Sequence, residues 1–338
     1  MKDERVGPVE FVLKGVLRVL SWLYFSVVSL IDRVYKHGFR KQYDALTPVI
    51  SVGNITVGGT GKTPFAIFLA DYFLMNGKKP AVLTRGYGND ENKMLEDVLA
   101  DVLVIKGQDR VKGAYRAGEE GKDVVILDDG FQHRRLKRDL NIVLLDSLNP
   151  FGNGHVLPRG VLREPVYALE RADIFVLTKA DRVGEQVTEE TIDKLRSDFK
   201  GKAIVTTKYK IHGLTDSMSA VHSAEIISGK RVYLFSGIAD PDYFKFLVEK
   251  QGADIVLRDD YPDHYVYTQG DIDGIARKCA ENNIDNIIVT NKDFVKLKEL
   301  DISAVRDRLF VLNIVLDIIG GKEELSDRLN SISSGKNS

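Results

Sequence analysis

Residues 53–64, GNITVGGTGKTP, combine glycines, a lysine and a hydroxyl side chain in the way that a phosphate-binding loop requires. The glycines can adopt positive φ and carry no side chain, so consecutive backbone N–H groups can point at a phosphate. Lys62 supplies a positive charge for the terminal phosphates, and Thr63 supplies a hydroxyl that can bind Mg²⁺. We therefore predict a nucleotide site made of Thr56, Val57, Gly58, Gly59, Thr60, Gly61, Lys62 and Thr63.

The loop departs from the usual pattern G-x-x-x-x-G-K-[ST] at its first position, where Thr56 replaces a glycine. Gly53 is expected to relieve the bend at the start of the loop instead. The strand-like run VISVG precedes the loop and a helical stretch opens at Pro64, which is the context that the motif requires. A tight strand-to-helix turn without a ligand is the alternative, but it gives no reason for Gly-Lys-Thr at this place.

Two adjacent carboxylates end another apolar run, VVILDDG, where an acid that holds the magnesium ion of a nucleotide is expected. Asp128 directly follows the apolar residues and is the preferred metal ligand, either directly or through water. Asp129 lies one residue nearer the cleft and is predicted to have a metal or catalytic role. The sequence leaves open which of the two carboxylates binds the metal directly.

The segment after these acids, GFQHRRLKRD, adds further polar candidates. Gln132 and His133 are predicted to orient a neighbouring side chain or a group of the substrate. The competing interpretation for the basic residues is a solvated surface, and it applies to Arg134, Arg135, Lys137 and Arg138.

The composition limits the classes of protein to which the chain can belong. Its 338 residues exceed the usual size of one hydrophobic core, so two domains are expected. The net charge of −1 argues against a protein that coats nucleic acid, and we expect no nucleic-acid partner. The single cysteine, Cys279, excludes an internal disulfide framework and is expected to pack in a helix.

Short β-branched apolar runs alternate with helical stretches after Pro48, which predicts a parallel sheet covered by helices. Residues 44–207 are therefore predicted to form a doubly wound α/β domain of the P-loop NTPase type, with ligands at the carboxyl ends of its strands. The polar stretch 208–230 is predicted to be a linker or a small connecting sheet. A smaller α/β domain is predicted over 231–322, and a disordered tail over 323–338.

Residues 1–43 form an N-terminal region that differs in kind from the rest of the chain. Thirteen uncharged and mostly apolar residues, VLSWLYFSVVSLI, precede a basic cluster, RVYKHGFRK, which is typical of a helix lying in an anionic membrane surface. The run is short for a spanning helix, which needs about 20 residues. Packing on the protein's own core and true spanning stay open as alternatives. A narrow polar stripe along the helix is formed by Lys14, Arg18, Ser21, Ser29 and Asp32.

Six blocks of the sequence together resemble the tetraacyldisaccharide 4'-kinase family, the kinases of the lipid A pathway. They are GNITVGGTGKTP, TRGYG, ILDDGFQHRRLKRDLNIVLLD, FGNGHVLPRGVLREP, FSGIADPDYF and YPDHYVY, and they occur in family order between residues 48 and 297. The loop of that family also lacks the outer glycine, so the resemblance accounts for Thr56 at this position.

The resemblance implies a reaction, a substrate and a location. The reaction is transfer of the ATP γ-phosphate, with Mg²⁺, to the 4'-hydroxyl of a tetraacylated glucosamine disaccharide 1-phosphate. The architecture would have two α/β lobes. The enzyme would be a peripheral or monotopic protein on the cytoplasmic face of the bacterial inner membrane, and we expect a monomer.

The resemblance also implies a catalytic base. The family carries it in a Gly-Asp-Glu-Pro segment, whose nearest match here is NDENKML at 89–95. This match places Asp90 on the base and Glu91 on the neighbouring acid. This sequence departs from the family there in two ways: Asn89 and Asn92 replace the flanking Gly and Pro, and the intervening loop is unusually short.

Two further blocks carry the remaining site residues of the family. In YPDHYVY, His264 matches the active-site histidine that pairs with the catalytic Asp. In PRGVLREP, Arg163 and Glu164 match residues near the substrate or nucleotide. A fixed guanidinium near the γ-phosphate would offset the charge of the transition state.

Two other classes of protein compete with the kinase. The segment LTKAD at 177–181 imitates the N-K-x-D motif of guanine-binding switch proteins, but Thr178 replaces the Asn that contacts guanine. A membrane-tethered ATPase without a lipid acceptor is the second alternative. It would hydrolyse ATP and would not need the lobe that carries YPDHYVY.

Overall fold

The computed structural model describes residues 8–86, 95 and 98–334, so Asp90 and Glu91 lie outside the described residues. The chain divides into two compact units. Unit 1 comprises residues 1–83, 107–207 and 318–338, and unit 2 comprises 84–106 and 208–317.

The helices of the described residues are α1 Pro8–Lys36, α2 Lys62–Met75, α3 Arg110–Glu119, α4 Glu185–Asp198, α5 Pro241–Glu249, α6 Gln269–Glu281, α7 Asn291–Leu297 and α8 Lys322–Ser334. The strands are β1 Val49–Gly53, β2 Pro80–Thr84, β3 Leu103–Lys106, β4 Val124–Asp128, β5 Leu140–Asp146, β6 Ile174–Thr178, β7 Ala203–Asp216, β8 Val221–His222, β9 Arg231–Ser236, β10 Asp254–Asp260, β11 Asn286–Thr290 and β12 Leu309–Gly320.

Unit 1 contains a parallel sheet with the strand order β7–β6–β5–β1–β4–β2. The strands β1, β4 and β6 are buried along their whole length, which explains their nearly continuous apolar sequences. All the carboxyl ends lie at one edge of the sheet, because the strands are parallel. The α/β class predicted from the apolar runs is confirmed, and this edge is where a ligand is expected.

Unit 2 has a smaller parallel sheet with the order β10–β9–β11–β12. The end of β7 forms an antiparallel pair with β8, in which Leu214 faces His222. The stretch 208–230 thus contains strand structure, which corresponds to the connecting sheet rather than to the linker. Residues 84–106 group with unit 2, whereas the sequence placed them in the nucleotide-binding domain.

The predicted disorder of the tail is wrong for residues 323–334, which belong to helix α8. Leu325 and Leu329 are both buried, at 1% and 0% exposure. They stand four residues apart and therefore lie on the same face of the helix, which packs on unit 1. A short apolar stripe within a polar sequence is sufficient to hold this segment.

Helix α1 is attached to the rest of unit 1 by polar side chains and exposes its apolar ones. Ser21 and Ser29 are buried, and Asp32 forms an ion pair with Arg134. Trp22 is 75% exposed. The predicted stripe is therefore a contact surface at these three positions, while its first two members, Lys14 and Arg18, are exposed.

The apolar side chains of α1 are mostly exposed, so this surface does not pack on the protein's own core. The side chains that it exposes include Val12, Leu13, Val16, Val19, Leu20, Trp22, Leu23, Val27, Leu30 and Ile31. The stretch Val12–Lys36 is also long and apolar enough to cross a bilayer, so the short uncharged run does not decide against spanning. Apolar exposure on this scale indicates membrane association.

Candidate active site

The glycine-rich loop connects β1 to α2 at the carboxyl edge of the unit 1 sheet. Gly58 and Gly61 adopt positive φ, at 112° and 83°, which is the conformation that the sequence predicts for them. Gly61 is the N-cap of α2, and Lys62 and Thr63 begin the helix. The amino terminus of a helix with its free N–H groups therefore faces the loop, as in a phosphate-binding site.

Thr56 can replace the outer glycine because the chain is extended at this position. Thr56 forms an antiparallel bridge with Leu162. On either side of it, the Val57 N–H donates to the Val161 carbonyl at 2.8 Å, and the Arg163 N–H donates to the Ile55 carbonyl at 2.6 Å. A residue in such pairing gains nothing from the conformational freedom of glycine.

Gly53 has a different function from the one that the sequence suggests. It is the last residue of β1, and a Cβ atom at this position would lie 2.5 Å from the Cβ atom of Phe131. The missing side chain therefore gives room to the turn that follows β4. The idea that Gly53 relieves the bend at the start of the loop is wrong.

The hydroxyl of Thr63 donates a hydrogen bond of 3.0 Å to Oδ2 of Asp128. Asp128 is the last residue of β4 and is buried, and Arg110 holds its backbone carbonyl through an Nη2–H bond of 3.1 Å. A hydroxyl and a carboxylate are the hard oxygen ligands that Mg²⁺ prefers. The pair therefore fits a magnesium site beside the loop, and Asp128 is the acid that the geometry favours as its ligand.

Asp129 lies in front of the loop and is bound by two cations. Its carboxylate accepts two bonds from the Arg163 guanidinium, at 2.7 and 3.1 Å, and the Lys62 ammonium lies 3.8 Å away. Its φ of 52° is unusual for a residue other than glycine. The structure thus brings together the predicted residues Lys62, Asp129 and Arg163.

Asn54 connects these groups and was missed by the sequence analysis. Its Oδ1 accepts from Arg163 Nη1 at 3.2 Å, and its Nδ2 donates to the Thr60 hydroxyl at 2.9 Å. Gln132, a predicted orienting residue, donates from Nε2 to the Asn54 carbonyl at 2.9 Å. The signal available in the sequence was a polar residue between a buried strand and the loop.

Lys179 supports the loop from the end of β6. Its side chain is buried, and Nζ donates to the Gly59 carbonyl at 2.8 Å and to Asp146 Oδ2 at 2.6 Å. It belongs to LTKAD, the segment that resembles a guanine-reading motif, in which Thr178 is fully buried and donates to the Leu145 carbonyl. The lysine therefore contributes to the shape of the loop, and the threonine contributes to the core.

Replacing Lys179 by Met should lower the free energy of unfolding by about 3 kcal/mol, because Asp146 and the Gly59 carbonyl lose a buried cation. The affinity for ATP should also fall, since the loop loses the hydrogen bond from Lys179 to the Gly59 carbonyl. Denaturant unfolding and nucleotide titration measure the two effects. Lys194→Met is the control, because Lys194 forms an exposed pair with Asp198 and should change stability by about 0.5 kcal/mol or less. Equal stability of the two variants would contradict the prediction.

His133 is partly buried in the turn after Asp129 and has basic neighbours. Burial, together with the positive charges of Arg110, Arg138 and Arg135, lowers the pKa of its imidazole to about 4. Its backbone carbonyl accepts a 2.9 Å bond from Arg138. The ring is thus neutral at physiological pH, which suits an orienting residue better than an acid.

The lowered pKa of His133 predicts a loss of stability in acid. The unfolded chain binds the proton near pH 6.5 and the folded chain near pH 4, so stability contributed by this group falls as the pH drops through that window. We expect a loss of about 2 kcal/mol, less than the full shift would give, since the ring is partly solvated. Unfolding of His133→Asn at pH 7 and pH 4.5 should show a smaller difference than wild type. The exposed His37 provides the control His37→Asn, which should behave as wild type does.

Glu164 is buried in a group of charged side chains that fixes α1. Its carboxylate accepts from Arg171 Nη2 at 2.8 Å and from Arg134 Nη2 at 3.4 Å, and both arginines also contact Asp32 of α1. Arg138 is also largely removed from solvent, and burial lowers the pKa of its guanidinium to about 10. The interpretation of Arg134 and Arg138 as part of a solvated surface is therefore wrong. The substrate role of Glu164 stays a prediction.

In unit 2, His264 lies in the loop after β10 with a φ of 64°. Its side chain is 45% exposed, and Nε2 lies 3.5 Å from Lys292 Nζ and 3.7 Å from Asp263 Oδ2. Lys292 in turn pairs with Asp263 at 2.9 Å. Asp263 is the adjacent residue in YPDHYVY, whereas Lys292 could not be predicted as a neighbour because it is 28 residues away from His264 along the chain.

A parallel sheet, a Gly-Lys-Thr loop that leads into a helix, and an acid hydrogen-bonded to the loop threonine define the chain as a P-loop nucleotide-binding protein. The model of one protein family, described as tetraacyldisaccharide-1-P 4'-kinase and abbreviated LpxK, matches residues 13–333. The chain belongs to this family.

Individual relatives agree with the family. The chain is 35% identical to the tetraacyldisaccharide 4'-kinase of Anaeromyxobacter dehalogenans, over 96% of this chain and 92% of the relative. It is 37% identical to the enzyme of that name from Desulfatibacillum aliphaticivorans, over 93% and 92%. Among solved structures, LpxK from Aquifex aeolicus in complex with ATP is similar at 30% identity with a TM-score of 0.72, covering 95% of this chain and 99% of that one.

Proposed function

We propose that the chain performs its family's reaction, the ATP-dependent phosphorylation of the 4'-hydroxyl of a tetraacylated glucosamine disaccharide 1-phosphate. One observation supports this proposal above the others. The Thr63 hydroxyl bonds to Asp128 beside the loop, while Lys62 and Arg163 meet at Asp129 in front of it. Phosphoryl transfer needs such an arrangement of positioned charges more than it needs covalent chemistry.

Each group of unit 1 has a defined task in this proposal. The N–H groups of the loop and Lys62 hold the triphosphate, and Asn54 and Lys179 keep the loop in shape. Mg²⁺, held by Thr63 and Asp128, would neutralise charge on the transferred phosphate. Arg163 is already fixed by Asp129, and its guanidinium would stabilise the negative charge of the transition state without first being ordered.

The acceptor requires a base and a membrane surface. Asp90 is proposed to remove the proton of the attacking hydroxyl, and His264 is proposed to tune that carboxylate. The acyl chains would stay in the bilayer, while the exposed apolar face of α1 and the basic segment after it keep the enzyme at the cytoplasmic surface of the inner membrane. A monomer is sufficient for each of these tasks.

Incubation of the detergent-solubilised protein with radiolabelled ATP, Mg²⁺ and a panel of monophosphorylated glucosamine disaccharide lipids tests the function. We expect label on the 4'-position of the tetraacylated acceptor. The same reaction without lipid measures hydrolysis, and a membrane-tethered ATPase would release phosphate equally fast in both. Competition of GTP with ATP separates the kinase from a guanine-dependent switch, for which GTP would bind better.

A further inference from the structure

The segment 156–163 connects the nucleotide loop to the helix that exposes the apolar surface. On the loop side, the Val57 N–H donates to the Val161 carbonyl at 2.8 Å, and the Arg163 N–H donates to the Ile55 carbonyl at 2.6 Å. These bonds make the segment part of the loop's own framework. Any displacement of the segment is therefore a displacement of the loop and of Arg163.

The other side of the segment is bound by α1. The Ser21 hydroxyl donates to the Val156 carbonyl, and the Tyr24 hydroxyl donates to the Arg163 carbonyl at 2.8 Å. Burial raises the pKa of the Tyr24 phenol, so the hydroxyl keeps its proton and remains a donor. The Tyr24 ring packs against the apolar cluster of unit 1 that contains Ile55 and Leu162, which fixes the direction of the hydroxyl.

Arg163 is consequently held at three points that belong to different parts of unit 1. Its N–H is bound by Ile55, its carbonyl by Tyr24, and its guanidinium by Asp129 and Asn54. The first and third of these points lie next to the nucleotide loop. The second is supplied by a helix whose opposite face is apolar and exposed.

We propose that Tyr24 is a positioning residue for Arg163, so that the membrane-associated helix is a structural part of the nucleotide site. The role of Arg163 toward the phosphates rests on the proposed function, but the hydrogen bond from Tyr24 does not. Without the hydroxyl, the backbone at residue 163 loses one of its fixed points. A displacement of about 1 Å at such a site is enough to reduce the rate of a reaction about 100-fold.

The variant Tyr24→Phe removes the hydroxyl and keeps the ring. Affinity for a fluorescent, non-hydrolysable ATP analogue should fall about 5-fold, which corresponds to one hydrogen bond. The measurement is made without lipid, so it remains informative if the chain phosphorylates no disaccharide. In the kinase reaction we expect a larger fall in kcat than in the affinity for ATP, with the KM of the lipid unchanged.

Tyr167→Phe is the matched control, because the Tyr167 hydroxyl bonds Ser29 of α1 at 2.9 Å and does not contact Arg163. Both variants lose one hydrogen bond between α1 and the rest of unit 1, but only Tyr24→Phe should weaken the binding of the analogue. Thermal melting of both variants shows whether either has lost its fold.

A double-mutant cycle with Arg163→Lys completes the test. If Tyr24 acts through Arg163, the loss caused by Tyr24→Phe should disappear once the guanidinium is absent. Three results would each overturn the proposal: analogue binding like wild type in Tyr24→Phe, an equal loss in Tyr167→Phe, or losses that add in the double variant.

Discussion

Replacing Asp128 by Asn is expected to lower the turnover of phosphate transfer about 100- to 1000-fold, because the site loses the charge that is proposed to hold the metal beside the phosphates. Asp128 is buried at the end of β4, and its carboxylate accepts the hydrogen bond of Thr63. An amide fits the same space but binds Mg²⁺ poorly. We therefore expect folding to be preserved while the concentration of Mg²⁺ needed for half-maximal turnover rises.

Variants of Thr63 test the other half of the same pair. Thr63→Ser keeps the hydroxyl and should retain most of the turnover, whereas Thr63→Ala should lose it as Asp128→Asn does. Because the two groups are proposed to act on one ion, the double variant should be little worse than either single one. Kinetics over a range of Mg²⁺ concentrations measure all four proteins.

A carboxylate at the opposite end of the sheet provides the control for charge alone. Asp173 precedes β6 and accepts a hydrogen bond of 2.8 Å from the Asn141 N–H. Asp173→Asn changes the net charge by the same amount but should leave turnover and the Mg²⁺ requirement unchanged. Wild-type dependence on Mg²⁺ in Asp128→Asn would exclude Asp128 as a metal ligand and would make Asp129 the remaining candidate.

The sequence predicts those parts of the site that depend on neighbours along the chain. Strands β1 and β4 appear as buried apolar runs, and the loop and the two acids follow them directly. The carboxyl ends of parallel strands share one edge, so the meeting of Thr63 with Asp128 follows from the alternation of strands and helices. The local sequence pattern and the parallel topology were sufficient to predict this part of the site.

Contacts between distant residues could not be predicted in this way. The chain separates Lys179 from Gly59 by 120 residues, and the sequence indicates only that Lys179 ends a strand. The resemblance placed Arg163 near the substrate or nucleotide, but its partners Asp129 and Asn54 depend on the path of the segment 156–163. Such pairings are set by tertiary packing, for which a single sequence carries no pattern.

Helix α1 shows which part of an amphipathic pattern can be predicted from the sequence. Three members of its polar stripe, Ser21, Ser29 and Asp32, contact the rest of unit 1. The apolar side chains then face outward, as expected when the surrounding medium is lipid. Periodicity identified the two faces correctly. Which face contacts the protein depended on the hydrogen-bonding partners that unit 1 offers.

The other large effect is expected for Asp90→Ala, which should reduce turnover by about 100- to 10,000-fold while the affinity for ATP stays nearly unchanged. A general base acts on the sugar hydroxyl and makes no contact that nucleotide binding requires. His264→Gln should lower turnover less, since the imidazole is proposed to act through the carboxylate. Its effect should largely vanish in the Asp90→Ala background.

Asp101→Ala, which removes an exposed acid from the same stretch of chain, is the control and should behave as wild type. Wild-type turnover in Asp90→Ala would remove this residue from the mechanism, and additive losses in the double variant would show that His264 acts independently of it.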